Sequence, residues 1–373
     1  MKQKAERLNS LDILRGFDLF LLVGLQPILW RLCETPQTWF GHLLKTQLDH
    51  AIWQGFHFWD IVMPLFLFMS GITIPFAFAK YRNKTTKKDS QLWIKITKRF
   101  FLLFLLGWIV QGNLLAFDIQ KFRIFSNTLQ AIAVGYLIAT ICYLFLKTHW
   151  QIILATSFLA IYWIVFATFG NNDYSPLGNI ACLIDNSVLT CFKDGVIWNN
   201  EQWTFSKDYT YTWILSSLNF CVTVMLGTFA GILLKSSYTS KNKLKTLTAI
   251  GISLVIIGLI ISPYHPIIKR LWTSSMTLFS GGICFLLMAL FYYMVDIKKW
   301  IKLFSWLKIY GMNSIVAYVL YETINFRSIG HSIFYGTEQF LGQYYFALIE
   351  LTQVGIVFGI LLLLYRNKIF IKI

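Results

Sequence analysis

Ten apolar stretches, each about as long as a helix that crosses a bilayer, constrain this chain more than any other feature. About 30 Å of hydrocarbon takes about 20 helical residues to cross. Because the stretches are continuously apolar, they exclude a transmembrane barrel, whose strands alternate over about 10 residues. The sequence predicts an all-α, polytopic membrane bundle of about ten transmembrane helices, in a single domain over 1–373. The stretches lie at 12–32, 58–79, 100–117, 128–146, 150–170, 213–234, 247–262, 273–295, 303–324 and 345–365.

The charge of the chain agrees with a membrane protein. Hydrophobic residues make up 56% of the sequence and charged residues only 13%, too few to cover the surface of a globular cytosolic enzyme of this length. The formal net charge is nevertheless +16. In so apolar a chain this excess indicates membrane orientation rather than nucleic acid, which we do not expect as a partner.

Lysine and arginine are distributed unequally between the two sides of the predicted bundle. With the N-terminus inside, the inner segments carry 24 of these residues and the outer segments 9. Cytoplasmic loops accumulate Lys and Arg, so both termini are predicted to be cytoplasmic. No cleavable signal pattern precedes the first stretch, which we expect to be its own insertion signal. The sequence predicts a multi-pass protein of the inner, or plasma, membrane.

The longest loops, 33–57, 170–212 and 325–343, lie on the predicted outer side. Binding residues favour loops that a rigid scaffold holds, so acceptor chemistry is expected there. Cys182 and Cys191 both lie on this side, and their spacing leaves open whether they form a disulfide. The usual metal-binding and nucleotide-loop motifs are absent from the sequence, and we expect no metal.

Ionisable and polar residues interrupt the apolar pattern in a few clusters, and such residues are costly in a membrane. Asp12 and Arg15 lie three residues apart at the cytoplasmic entry of the first helix, where they can pair on one helix face. Arg15 also has the guanidinium fork that suits a phosphate. An ordinary positive anchor is the alternative interpretation of this pair.

A second cluster crosses from the first outer loop into the second helix. His50, His57 and Asp60 lie within eleven residues of one another, and Asp60 falls inside the predicted membrane boundary. Histidine exchanges protons near neutral pH, so either histidine is a candidate general base. An interfacial position in an aromatic belt is the alternative for His57.

Further polar groups lie at or near the ends of later helices. Gln130 falls one turn into the apolar run of the fourth stretch, and Asn313 lies in the ninth. Lys269 and Arg270 stand together on the predicted outer side, which indicates an anionic partner or pairing with an acid such as Asp60. Trp272 and Ser274 follow them directly.

In order and spacing, these segments resemble the heparan-alpha-glucosaminide N-acetyltransferase family and its bacterial relatives. The string from His50 to Phe66 is similar to the family pattern HxxWxGxxxxDxxxPxF, and Lys269 to Ser275 to KxxWTSS. The sequence departs from the family at Gln26, where the family has Asn. The weaker similarities are to the family's SLDxxRG, LQRIA and GxNxI segments, at 10–16, 129–133 and 311–315.

The resemblance implies a membrane acyltransferase that moves an acetyl group from cytoplasmic acetyl-CoA to an amino sugar or oligosaccharide on the outer side. It implies His50 as the catalytic base and Asp60 as its orienting acid, with Asp12 and Arg15 toward acetyl-CoA. A homodimer would be unsurprising for this family. The residues expected to bind substrate are Trp53, Gln26, Gln130, Lys269, Trp272, Ser274 and Asn313.

Two other functions fit the same residues. One is acyl transfer to a hydroxyl of another surface or periplasmic glycan. The other is proton-coupled sugar transport, which also requires ionisable residues within the membrane. The sequence shows no internal repeat of the kind that many transporters have.

Overall fold

The computed structural model of the chain describes residues 8–34, 38–82, 90–112, 114–199 and 202–371. These ranges are largely helical, with one short hairpin. The α-helices are α1 Asn9–Phe20, α2 Gln26–Cys33, α3 Trp39–Gln47, α4 Val62–Phe78, α5 Ser90–Val110, α6 Thr128–Phe145, α7 Thr148–Thr168, α8 Ile180–Leu189, α9 Ser216–Lys235, α10 Ser240–Ile261, α11 Ser274–Phe291, α12 Ser305–Met312, α13 Ser314–Thr323, α14 Arg327–Phe334, α15 Glu338–Leu341 and α16 Tyr345–Arg366. Strands β1 Val196–Asn199 and β2 Gln202–Phe205 pair antiparallel, with Val196 opposite Phe205.

Short helical turns of other types connect or extend several of these helices. Leu21–Leu25 and Tyr292–Ile297 are π-helical and continue α1 and α11. The 3₁₀ turns are Phe58–Ile61, Thr190–Phe192, Tyr335–Thr337 and Gly342–Tyr344. The turn at Phe58–Ile61 contains Asp60 and begins the helical span that α4 continues.

Eight helical segments of the described chain are long and apolar enough to cross a membrane. Two predicted stretches are not among them. Helix α5 carries Lys95, Lys98 and Arg99 in its N-terminal half, and the stretch 303–324 is divided between α12 and α13 at Asn313. The predicted all-α, multi-pass membrane fold is confirmed.

The chain forms two compact units. Unit 1 comprises Met1–His50, His57–Val62 and Leu286–Ile373, and unit 2 comprises Ala51–Phe56 and Met63–Phe285. A single functional domain over 1–373 stays a prediction.

Within unit 1, α1 and α12 approach each other closely at two glycines. A Cβ atom added to Gly16 would lie 1.8 Å from the carbonyl oxygen of Leu307, and one added to Gly311 would lie 1.8 Å from that of Asp12. Small residues let helix backbones approach, which is how helices associate in a lipid environment. Both glycines belong to segments that resemble the family. The close helix packing explains why neither position has a side chain.

In unit 2, α4 and α9 also approach each other closely at two glycines. A Cβ atom on Gly71 would lie 1.9 Å from the carbonyl oxygen of Val224, and one on Gly227 would lie 1.9 Å from that of Phe68. These two helices are also apolar around most of their circumference, because both are largely buried within the protein.

Cys182 and Cys191 are free thiols. Cys182 is buried in α8 and Cys191 is half-buried, and neither forms a disulfide. The Nζ atom of Lys193 lies 3.4 Å from the Cys182 sulfur and donates to Asn186 Oδ1 at 2.6 Å. The cysteine pair left open by the sequence is therefore not bonded in this structure.

Candidate active site

His50 and Asp60 are hydrogen-bonded to each other in unit 1. His50 follows α3 in a loop, and Asp60 lies in the 3₁₀ turn at the start of the Phe58–Phe78 span. The Asp60 Oδ1 atom lies 2.8 Å from His50 Nδ1. The Asp60 side chain is fully buried, whereas 35% of the His50 side chain is exposed. A buried acid thus holds a histidine that solvent or a substrate can reach.

Local hydrogen bonds fix the position of Asp60. Its Oδ2 atom accepts from the backbone N–H of His57 at 2.9 Å, completing a capping box at the start of the turn. The His57 ring donates from Nδ1 to the carbonyl oxygen of Asp49 at 3.1 Å. The backbone N–H of Phe58 donates to Gln47 Oε1 at 3.0 Å. His57 and its neighbours therefore shape the loop that presents His50.

This geometry determines which His50 nitrogen can act as a base. An ionised carboxylate only accepts hydrogen bonds. The ring proton of His50 therefore lies on Nδ1, which donates a hydrogen bond to Asp60 Oδ1. In the neutral ring the lone pair then lies on Nε2. The arrangement suits general base or nucleophilic chemistry at Nε2, with Asp60 stabilising the imidazolium that forms.

The other predicted residues of unit 1 lie on α1, on α2 and at Asn313, between α12 and α13. Arg15 Nη1 lies 3.8 Å from Asp12 Oδ1, which confirms the predicted pairing at the entry of α1. Gln26 donates from Nε2 to the carbonyl oxygen of Leu48 at 3.5 Å, two residues before His50. Asn313 bonds the C-terminal segment at Ile369 and Ile371. Contact of these residues with substrates stays a prediction.

Gln130 in unit 2 has a structural function at the start of α6. Its Oε1 atom accepts from the backbone N–H groups of Ser126 and Asn127, at 2.9 and 3.1 Å, and its Nε2 atom donates to the carbonyl oxygen of Ile124. Gln130 is fully buried. The cap explains why this amide occurs one turn into an apolar run. Substrate binding by Gln130 stays a prediction.

The WTSS-like segment forms a buried turn before α11 in unit 2. Trp272 has a positive φ of 52°, and Asn219 donates from Nδ2 to its carbonyl oxygen at 2.7 Å. The same Nδ2 atom lies 3.4 Å from Ser274 Oγ, so Asn219 joins Trp272 and Ser274. Lys269, three residues before Trp272, is also buried.

Trp53 and Arg270 are held by partners of their own within unit 2. The Trp53 ring donates to the carbonyl oxygen of Tyr174 at 2.8 Å. Arg270 donates from Nη1 to Thr210 Oγ1 at 2.7 Å and lies over the Tyr211 ring, 5.4 Å from its centroid. These contacts of the Arg270 side chain are with a hydroxyl group and an aromatic ring.

Sequence reasoning missed His265. This fully buried residue accepts at Nε2 from the backbone N–H of Ser274 at 3.0 Å, and its Nδ1 atom lies 2.7 Å from the Tyr174 hydroxyl. Burial lowers the pKa of His265 from 6.5 to about 3, so it is neutral and supports the WTSS-like turn. A lone histidine in a short connection gave no signal of this function.

Two buried acids were also missed. Asp18 lies in α1 directly before a π-turn, and within the described chain neither of its carboxyl oxygens has a hydrogen-bond partner. Glu350 lies in α16 and pairs with Arg327. An acid inside an apolar run was the available signal for both.

Comparison with known families identifies part of the chain. Residues 7–188 match the family described as heparan-alpha-glucosaminide N-acetyltransferase, catalytic. This region belongs to that family. It includes His50 and Asp60, and it ends before the WTSS-like segment and Asn313. The predicted family is confirmed, and the protein is a multi-pass membrane enzyme of the N-acetyltransferase type. No curated protein matches the chain.

Proposed function

We propose that this protein transfers an acetyl group from acetyl-CoA, supplied from the cytoplasm, to the amine of a terminal glucosamine or related amino sugar on the outer side. The observation that carries the proposal is the 2.8 Å contact between buried Asp60 and partly exposed His50. Membership of residues 7–188 in an N-acetyltransferase family supports the reaction type.

In the proposed reaction, the neutral amine of the acceptor attacks the thioester carbonyl carbon of acetyl-CoA. His50 Nε2 takes the amine proton as the carbon–nitrogen bond forms, and Asp60 stabilises the imidazolium. The carbon–sulfur bond then breaks, and the imidazolium returns the proton to the departing CoA sulfur. A relay in which Nε2 itself carries the acetyl group uses the same two residues.

The donor end of the reaction is proposed for the cytoplasmic side. Arg15, paired with Asp12, and the basic residues of the inner loops favour the phosphates of CoA. The pantetheine arm would carry the thioester into the bundle, toward His50.

The test uses the purified full-length protein in detergent with acetyl-CoA and a panel of amino-sugar and oligosaccharide acceptors, read by mass spectrometry. We expect acetylation at nitrogen and release of free CoA. His50→Ala should abolish transfer while expression and the folded state persist. His42→Ala is the matched control, because His42 is an exposed histidine of the preceding helix. An active His50→Ala protein would refute the proposal.

The same assay separates the alternatives. Acetylation of acceptors that lack an amine would favour transfer to a hydroxyl. Sugar uptake by proteoliposomes without CoA, together with no transfer, would favour a transporter. Acetylated protein that forms with acetyl-CoA alone, and that His50→Ala cannot form, would indicate the acetyl-histidine relay.

A further inference from the structure

Two adjoining cavities lie in unit 1, around helices that the proposed chemistry does not use. The larger, of about 560 Å³, is lined mainly by the segment from α13 to α14 and by Gln353 of α16. The smaller, of about 190 Å³, is lined by residues of α2, α13, α14 and α16. Tyr321 and Arg327 line both cavities, so the two cavities are neighbours.

Gln353 gives the larger cavity a polar group that lacks an internal partner. Its side chain is only 3% exposed, and its Oε1 atom has no hydrogen-bond partner within the described chain. Buried polar groups nearly always have partners, and exceptions call for an explanation. A ligand that donates an O–H or N–H group would supply the missing hydrogen bond.

The charges around the cavities are balanced. Glu350 accepts from Arg327 Nε at both carboxyl oxygens, at 2.9 and 3.0 Å, and Arg31 Nε lies 3.8 Å from it. Glu322 adds a second acid to the lining of the larger cavity. Two arginines against two acids leave no net positive charge, which disfavours a phosphate as the ligand.

The remaining lining combines donors and acceptors. Asn325 and Arg327 can donate, whereas Glu322 and Gln353 Oε1 can accept. A ligand suited to this mixture has many groups that both donate and accept, as the hydroxyls of a sugar do.

One residue of the smaller cavity contacts the segment just before His50. Gln26 lines this cavity and donates to the carbonyl oxygen of Leu48, two residues before His50. The segment between α13 and α16 also includes the predicted outer loop 325–343, on the side where the acceptor is expected.

We propose that these two cavities form the acceptor subsite, which binds a sugar ring through Gln353 and Glu322. This inference rests on the proposed function, because it identifies where the sugar lies during transfer.

The test is Gln353→Leu in the full-length protein. Leucine removes the buried acceptor and breaks no internal hydrogen bond of Oε1. We expect the KM for glucosamine to rise by about fivefold or more, with kcat and the KM for acetyl-CoA changed by less than about twofold. The midpoint of thermal unfolding should stay the same or rise. Gln339→Leu is the matched control, because Gln339 is exposed and lines neither cavity.

Calorimetry without acetyl-CoA separates this inference from the proposed function. Glucosamine should bind the wild-type protein, and more weakly the Gln353→Leu variant. Binding that depends on Gln353 without any acetyl transfer would refute the proposed function and support the subsite. Equal glucosamine binding or equal KM values in the two proteins would overturn the subsite, as would preferential binding of inorganic phosphate.

Discussion

At the scale of single residues, the pairing of Asp60 with His50 is the feature with the clearest chemical consequence. Asp60 is fully buried at the start of a membrane span, where an isolated charge would be costly. The His50 ring and the His57 backbone N–H satisfy its two oxygens. The same bonds fix the ring of His50. They therefore compensate the loss of water around the Asp60 carboxylate and also orient the base.

Replacing Asp60 by Asn tests this orientation. Asparagine keeps the volume, but its amide can donate to His50 Nδ1, which moves the ring proton to Nε2 and removes the base. We expect acetyl transfer to fall by about 10²- to 10⁴-fold, measured as kcat with saturating acetyl-CoA. Asp208→Asn is the matched control, because Asp208 is an exposed aspartate. Full activity of Asp60→Asn would contradict the assigned tautomer.

Because His265 is buried in its neutral form, we expect the free energy of unfolding to depend on pH. The pKa of His265 is lowered from 6.5 to about 3 in the folded protein, so the unfolded state binds the extra proton between these values. The contribution of neutral His265 to the free energy of unfolding is therefore complete above pH 6.5, and it is lost as the pH falls toward 3. His265→Gln keeps an acceptor for Ser274 and removes the titration. The free energy of unfolding of this variant, relative to wild type, should improve on acidification by about 1.4 kcal/mol per pH unit below 6.5.

The comparison with wild type is needed because Asp185 has the opposite effect. Burial raises the pKa of Asp185 from 3.8 to about 6, although its carboxylate accepts from the backbone N–H groups of Trp213 and Ile214. Between these values the folded state binds the extra proton, so acidification through this window is stabilising. Chemical unfolding at several pH values measures the difference, and a difference that does not change with pH would contradict a neutral, buried His265.

At the scale of secondary structure, glycine decides how closely α1 and α12 pack. Gly311→Ala would place a methyl group against the carbonyl oxygen of Asp12, which only a shift of the helix backbone relieves. We expect a loss of about 1–3 kcal/mol in the free energy of unfolding. Gly355→Ala in α16 is the matched control, because nothing lies within 4 Å of its added Cβ atom. Thermal unfolding measures both, and equal midpoints would contradict the close packing.

Two helical elements show where hydropathy reasoning fails. Helix α5 carries three cations in its N-terminal half, and such side chains cross an interface only by extending their charged ends to water. The stretch 303–324 is broken at Asn313, whose amide bonds Ile369 and Ile371 instead of continuing the helix. The apolar pattern predicts burial of both stretches and cannot report a break that a distant segment stabilises.

At the scale of the whole molecule, the distribution of Lys and Arg predicts which loops face the cytoplasm. Single cysteines in a cysteine-free background test this orientation. Trp203→Cys in the hairpin should react with an impermeant maleimide added to intact cells, and Lys241→Cys at the start of α10 should react only after the cells are opened. Both positions are exposed. Labelling of both positions from the same side would contradict the predicted topology.

The membrane class, the helical fold and the family could all be predicted from the amino-acid sequence, because continuous apolar runs and motif spacing are local properties. The sequence also singled out His50 with Asp60 and Asp12 with Arg15, pairs that lie close along the chain. Only the tertiary structure showed that Gln130 caps a helix, that His265 supports Ser274, and that Gln353 lacks a hydrogen-bond partner. The partners of Gln130, and Ser274 as a partner of His265, lie only three to nine residues away, but which side-chain atoms meet depends on the folded geometry. The burial of Gln353 is a property that hydropathy does not encode.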